Sequence, residues 1–397
     1  MPKNSRSFLN YCIPIFFVFL HFEVAEFFGF NLTVGAIVGF AMAAFIASWQ
    51  LSKRAVYIFL ATNLVLLITP LASPAFFNLD DYITTGLLVQ STLFLLLISV
   101  NGSRLPHLII GIAPGLKIAF WIVALFSIIQ ISLSTFFNFY SYNPWGDNQY
   151  LYKYIPLPGA TGLIRSAGFY LEPSFNAFVI CALTLLVMLT KGRPLIYMPI
   201  SLLAVAATQS ATGLILWFSL AAVAVVFSRS FRSIRYIFVI SLPIVAAYGY
   251  LSQRINSISL TGSSGNYRLL SPTSVVGDIL SSQFFGHPLG SLYDVVSRYQ
   301  LFQFGAEQSV TLDNGLYVII FYFGWIGLLV LIGLFVWALS DIRREKISLG
   351  VPSIVVRLWL VSCLLFSGAI FAPEFACITF LVVVVWRESI KEREPSL

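Results

Sequence analysis

The sequence predicts an all-α, polytopic membrane protein of about twelve spanning helices. Three observations carry that prediction. The 397 residues are 58% hydrophobic and only 10% charged, whereas a soluble domain carries about 25% charge. Apolar runs near the roughly 20 residues that cross a bilayer core recur along the whole chain. The basic residues between those runs fall mostly on one side, in the manner of topology signals. The chain therefore reads as one membrane domain, 1–397, and its net charge of +7 does not point to nucleic acid.

The expected spans are 8–29, 32–50, 55–72, 82–100, 117–136, 169–190, 194–209, 211–228, 236–251, 314–340, 353–371 and 374–387. Met1–Arg6 precedes an apolar run, but no small-x-small cleavage site follows. This segment is therefore expected to be the first spanning helix. Glu23 and Glu26, three residues apart, would share a helical face near its outer end. Leu105–Leu116 carries Pro106, Pro114 and two glycines, so it is expected to lie along the interface. Span 314–340 is long enough to tilt or to project from the bilayer, and 374–387 is short for a span. Cys12, Cys181, Cys363 and Cys377 lie in or beside apolar segments without metal spacing and read as small apolar fillers. Three histidines and no spaced carboxylate cluster lead to an expectation of no metal and no cofactor.

Of the 23 lysines and arginines, eighteen fall on one side and five on the other: Lys153, Arg165, Arg254, Arg268 and Arg298. Both termini are then cytoplasmic, as an even number of spans requires. Two large loops, 136–168 and 252–313, face outward, which in a bacterial inner membrane is the periplasm. The few outward arginines run against the topology rule and need another reason.

Three stretches beside those loops carry possible chemistry. Arg165 and Glu172 flank a helix start, with Pro173 suited to the first helical position. They read either as interfacial anchor and cap or as functional charges at membrane depth. Gly262-Ser-Ser-Gly-Asn-Tyr-Arg268 offers backbone N–H groups and a guanidinium, which suits a diphosphate. It also reads as a plain turn. Asp313-Asn314-Gly315 opens the span after the long loop. Asp313 reads as an N-cap, or as a carboxylate able to take a proton from a sugar hydroxyl. His287 is a lone histidine in a loop and a ready proton carrier. Ser210-Ala-Thr-Gly213 and Ala372-Pro-Glu374 make tight hairpins, the second with its carboxylate at the surface. The aromatic cluster within Phe136–Tyr154 suits either sugar rings or an interfacial belt.

At these motifs the chain resembles the Wzy-type polysaccharide polymerases, the colanic acid polymerases most closely, with xanthan-type polymerases as relatives. The resemblance is carried by Gly168-Phe-Tyr-Leu-Glu-Pro-Ser-Phe175, Ser210-Ala-Thr-Gly213, Gly262-Ser-Ser-Gly-Asn-Tyr-Arg268, Gly290-Ser-Leu-Tyr-Asp294, the run from Leu312 to Trp325, and Ser367-Gly-Ala-Ile-Phe-Ala-Pro-Glu-Phe-Ala376. These keep one order from Arg165 to the C-terminus, while the first third matches only in having apolar spans. The O-antigen ligases, which are related, often carry a His-Asn pair where this chain has Asp313-Asn314.

The resemblance implies a glycosyltransferase C-like, O-antigen ligase/polymerase architecture in the bacterial inner membrane. It implies a polymerase that joins oligosaccharide repeat units carried on undecaprenyl diphosphate, at the periplasmic face. Arg165, Arg268 and Arg254 would hold the substrate diphosphate. Glu172, Asp313 and His287 would be the catalytic candidates, and Tyr267, Asn314, Asp294 and Glu374 would bind substrate. The expected partners are lipid-linked donor and acceptor, membrane lipids, a chain-length regulator and an export complex, with no nucleic acid. The rival readings are a lipid-linked oligosaccharide flippase and an O-antigen ligase. A flippase would set polar, broken-helix elements near the bilayer midplane, often in repeated halves. Here the polar groups gather at one face, and no internal repeat is visible.

Overall fold

The computed structural model describes residues 3–27, 30–137, 165–227, 256, 259–261, 264–301, 311–340 and 351–392. The expected span 236–251, Arg254, the Tyr and Trp cluster and most of loop 136–168 lie outside them. The chain is a polytopic helical membrane protein. Among the described residues four helices are long and apolar enough to cross a membrane, and several shorter apolar ones pack with them.

Helix α1 (Lys3–Val18) ends well before residue 29. The chain then forms an antiparallel hairpin of β1 (Glu23–Phe27) and β2 (Phe30–Thr33), with Glu23 opposite Thr33 and Glu26 opposite Asn31. The helical face expected to carry both glutamates therefore does not form. Extending the first helix to 29 would have drawn two carboxylates into it, and such groups are costly in lipid. Thr33 then caps α2 (Val34–Ile46), its hydroxyl accepting the Ala36 N–H at 3.0 Å.

Helices α3 (Lys53–Ala72) and α4 (Leu79–Ser99) form a peripheral pair. Leu67 and Leu71 of α3 are 67% and 79% exposed, as suits a helix that faces lipid. Helix α5 (Leu108–Phe137) departs from expectation: residues 108–116 belong to one continuous 30-residue helix rather than an interfacial segment. Pro114 disturbs the ladder locally. The side chain of Asn10, on α1, accepts the Gly115 N–H at 3.0 Å and satisfies the loosened backbone.

The deepest element is α6 (Pro173–Leu189), buried along nearly its whole length. Its Phe178 stacks between Trp359 and Phe375, 5.6 and 5.4 Å away. Around it pack α5, α7 (Pro194–Ala207), α8 (Ala211–Phe227), α13 (Ser353–Phe366) and α14 (Pro373–Lys391). The last helix is 19 residues long, not the short segment expected.

Among the described residues between α8 and α13 are the short helices α9 (Ser264–Leu269), α10 (Pro272–Ser282) and α11 (Leu292–Val296), and the long α12 (Gly315–Leu339). Helix α12 is 25 residues long and is not one straight rod. It breaks at Gly324, whose φ of +54° and ψ of −133° are open mainly to glycine. The break brings Gly327 against the carbonyl of Ile319. The segment after α10 seals it: the His287 N–H donates to the Phe321 carbonyl at 2.9 Å, and the Trp325 N–H to that of Phe284 at 3.0 Å.

The polar groups sort to opposite ends of the bundle. At one end Lys391 and the Ser103 N–H both meet Glu388, at 2.8 and 2.9 Å, and Lys191 meets Glu392 at 3.6 Å. At the other end stand the starts of α6, α12 and α14 and the end of α7. The second end holds the candidate site.

Candidate functional site

Glu172 itself has extended backbone, at φ −149°, just before Pro173 opens α6. Its carboxylate makes no capping bond, so the cap reading does not describe it. At α12 the cap is Asn314, whose side-chain oxygen accepts the Leu316 N–H at 3.0 Å. Asp313 thus stands one residue outside the helix with its carboxylate released from capping. Asn314 also donates through Nδ2 to the carbonyl of Arg268 at 3.3 Å. Tyr317 donates its hydroxyl to the Leu269 carbonyl at 2.6 Å. These bonds fasten α9 to the mouth of α12.

That fastening brings three predicted charges together. Arg268 Nη2 lies 3.3 Å from Glu172 Oε1 and 3.6 Å from Asp313 Oδ2. The arginine side chain is 11% exposed, the two carboxylates 48% and 34%, so the cation is the buried member. Its Nε has no hydrogen-bond partner among the described residues. A buried donor left unmade costs about 1–3 kcal/mol.

The surroundings push the two carboxyls apart. Burial raises Glu172, but Arg268, the Ser174 hydroxyl and Arg165 together hold it below the usual carboxylate range. Burial also raises Asp313. Arg268 pulls it back, the Glu172 charge pushes it up again, and the net shift is upward. Burial works against the Arg268 charge, and the two carboxylates more than restore it.

Arg165 adds a second cation close enough to bear on Glu172. Its Nε donates to the Thr208 carbonyl at 3.3 Å, and the Ser166 N–H to the Ala207 carbonyl at 3.1 Å. The turn between Arg165 and Glu172 is held by a buried network that the sequence reading missed. Gln130 Oε1, on α5, accepts the Ser166 hydroxyl at 2.7 Å and the Gly168 N–H at 2.9 Å. Asn176 Nδ2 donates to Ser127 Oγ at 3.0 Å and to the Ser166 carbonyl at 3.3 Å. Gly168, at φ +61°, lies against the Asn176 amide, where a β-carbon would stand 2.8 Å from Nδ2. His21 Nδ1 accepts the Leu171 N–H at 3.3 Å, and burial pushes its pKa down to about 3. The available signal was a glutamine and an asparagine inside apolar spans, where polar side chains demand partners.

Other expected site residues are placed differently. Tyr267 is fully buried and donates its hydroxyl to the Thr311 carbonyl, so it braces the loop. Glu374 is 6% exposed, not at the surface, and accepts the Thr33 hydroxyl. His287 packs on Phe76 and Phe321 beside the α12 break, at ring distances of 5.3 and 5.0 Å. Burial, then the Arg298 charge, bring its pKa down to about 4. Asp294 is exposed in the first turn of α11. No hydrogen bond or ion pair among the described residues joins the His287 or Asp294 side chain to the Arg268 cluster. Among those residues no group of three or more His, Cys, Asp or Glu could hold a metal ion.

Comparison with known proteins gives two findings. The family model described as WcaD colanic acid polymerase matches residues 9–388. A protein of Escherichia coli (strain K12), named "Putative colanic acid polymerase", is 33% identical over 147 residues. That alignment covers 35% of this chain and 34% of the relative's length.

Proposed function

This chain belongs to the WcaD colanic acid polymerase family, and from that premise we propose that it polymerises lipid-linked oligosaccharide repeat units. The donor is the growing chain on undecaprenyl diphosphate, and the acceptor is a new lipid-linked unit. The acceptor hydroxyl attacks the anomeric carbon of the donor. A new carbon–oxygen bond forms, the bond from that carbon to the lipid diphosphate breaks, and the hydroxyl proton passes to a carboxylate.

The observation that carries this reading is Arg268 set between Glu172 and Asp313, on elements far apart in sequence. A guanidinium suits the charge that develops on a departing diphosphate. Arg165 stands close enough to share that work. Asp313 is our choice of base: it is released from capping and pushed toward higher proton affinity. Glu172, held as a carboxylate, would stabilise the oxocarbenium-like transition state. The diphosphate is already a good leaving group, so the reading requires no protein acid and no metal.

We place the enzyme in the inner membrane with both termini cytoplasmic and the Arg268 cluster periplasmic. The one-sided distribution of basic residues supports this. The test is in vitro. Protein in nanodiscs is incubated with lipid-linked repeat units, with and without EDTA, and products are resolved on a gel. A ladder that survives EDTA is the expected result. No ladder from verified native substrate, together with flipping in proteoliposomes, would overturn the proposal in favour of transport.

A further inference from the structure

The contacts around Arg268 are those of a cation held but not saturated. A carboxylate engages arginine best through two parallel bonds of about 2.7–2.9 Å. Here one nitrogen, Nη2, serves both carboxylates at 3.3 and 3.6 Å, and the buried Nε serves none of the described residues. Arg268 is itself nine-tenths buried, and its carbonyl is tied to Asn314. The carboxylates are the more exposed members of the cluster. Each has a second partner within reach: the Ser174 hydroxyl for Glu172, and the Thr311 hydroxyl at 3.4 Å for Asp313.

We infer that Glu172 and Asp313 are built-in competitors for Arg268, which a diphosphate displaces, so that substrate charge itself releases Asp313 to accept a proton. The inference rests on the polymerase reading only for the identity of the anion. A diphosphate offers paired oxygens and more charge than one carboxylate, so it can take the guanidinium fork that neither side chain fills. Asp313 then loses its counter-charge and binds a proton more readily. Arg268 is thus covered in the resting state, and the base is freed as the donor arrives.

The test measures binding without turnover, using geranylgeranyl diphosphate on the full chain in nanodiscs. Inorganic pyrophosphate and geranylgeraniol separate recognition of the diphosphate from recognition of the lipid tail. Competition has a definite sign. Glu172→Gln and Asp313→Asn should each bind the diphosphate about fivefold more tightly, the equilibrium worth of a partly exposed ion pair, and Arg268→Met should lose it. If Glu172→Gln does not accumulate, Asp313→Asn reads the same competition. Equal or weaker binding in the carboxylate variants would overturn the inference, because residues that help to build a site weaken it when removed. So would full binding by Arg268→Met, or geranylgeraniol binding as tightly as its diphosphate. Tighter binding in these variants with no polymer from the wild type would sink the polymerase reading and leave the competition intact.

Discussion

Gly286 and Gly324 cross with their backbones in contact, both at left-handed φ, +72° and +54°. A β-carbon on Gly286 would lie 2.7 Å from the Gly324 nitrogen and 2.6 Å from the Phe321 oxygen. Gly286→Ala and Gly324→Ala should each lower stability by more than about 1–2 kcal/mol, the usual cost of left-handed backbone before any clash. Gly277→Ala is the control, since nothing lies within 4 Å of its added carbon. It should be neutral or stabilising by about 0.5–1 kcal/mol. Thermal unfolding in detergent reads all three, and equal behaviour would mean that the crossing is not tight.

Removing the Gln130 acceptor should strand two buried donors. Gln130→Leu is expected to cost at least about 2 kcal/mol. It should also lower polymer yield, because the turn carrying Arg165 and Glu172 loses its anchor. Gln130→Glu keeps the accepting oxygen and should recover part of both. Hydrogen exchange at Gly168 would rise in the Leu variant. Unchanged exchange would contradict the role given to Gln130.

Arg165→Lys and Arg268→Lys keep the charge but lose the planar fork. Each should reduce polymerisation about 100-fold, the order seen when one transition-state donor is removed. Near-normal ladders from both would refute the assignment of the diphosphate to these side chains.

If Asp313 is the base, kcat/KM falls on the acid side as Asp313 takes a proton, since this parameter reports the free enzyme. That limb should lie above the unperturbed aspartate value of 3.8. The groups facing Asp313 are Arg268, which lowers it, Glu172, which raises it, and the Thr311 hydroxyl, which lowers it. Glu172→Gln removes the raising charge, so the limb should move to lower pH. His287→Gln should leave the limb in place, because that imidazole is already neutral near pH 7. A limb that moves upward in Glu172→Gln would remove Asp313 as the base.

The helices and the charged cluster were legible in the sequence for one shared reason. Lipid forces backbone bonds to close within each segment, so apolar runs such as Lys53–Ala72 became helices close to where they were read. Arg165 and Arg268 stood out because the topology reading put them on the side poor in basic residues. What was not legible depends on neighbours remote in sequence. Pro114 looked like an interruption, but Asn10, 105 residues away from Gly115, absorbs it. The break at Gly324 needs Gly286 beside it to make sense. At α12 local spacing offered Asp313 as the cap, and only the folded turn shows that the next residue does that work. The cap is Asn314, which leaves the Asp313 carboxylate to Arg268 and the Thr311 hydroxyl.

The ties between α9 and α12 make Arg268 and Asp313 passengers on one rigid jaw. Asn314 and Tyr317 clamp it from one strand of the chain, and Tyr267 from the other. Glu172 rides on the opposite jaw, with α6, and reaches across through the 3.3 Å contact with the guanidinium. A small parting of the jaws would therefore lengthen one charge pair and leave the other unchanged, without melting either helix. A label on each jaw would report any such parting as a change in a single distance.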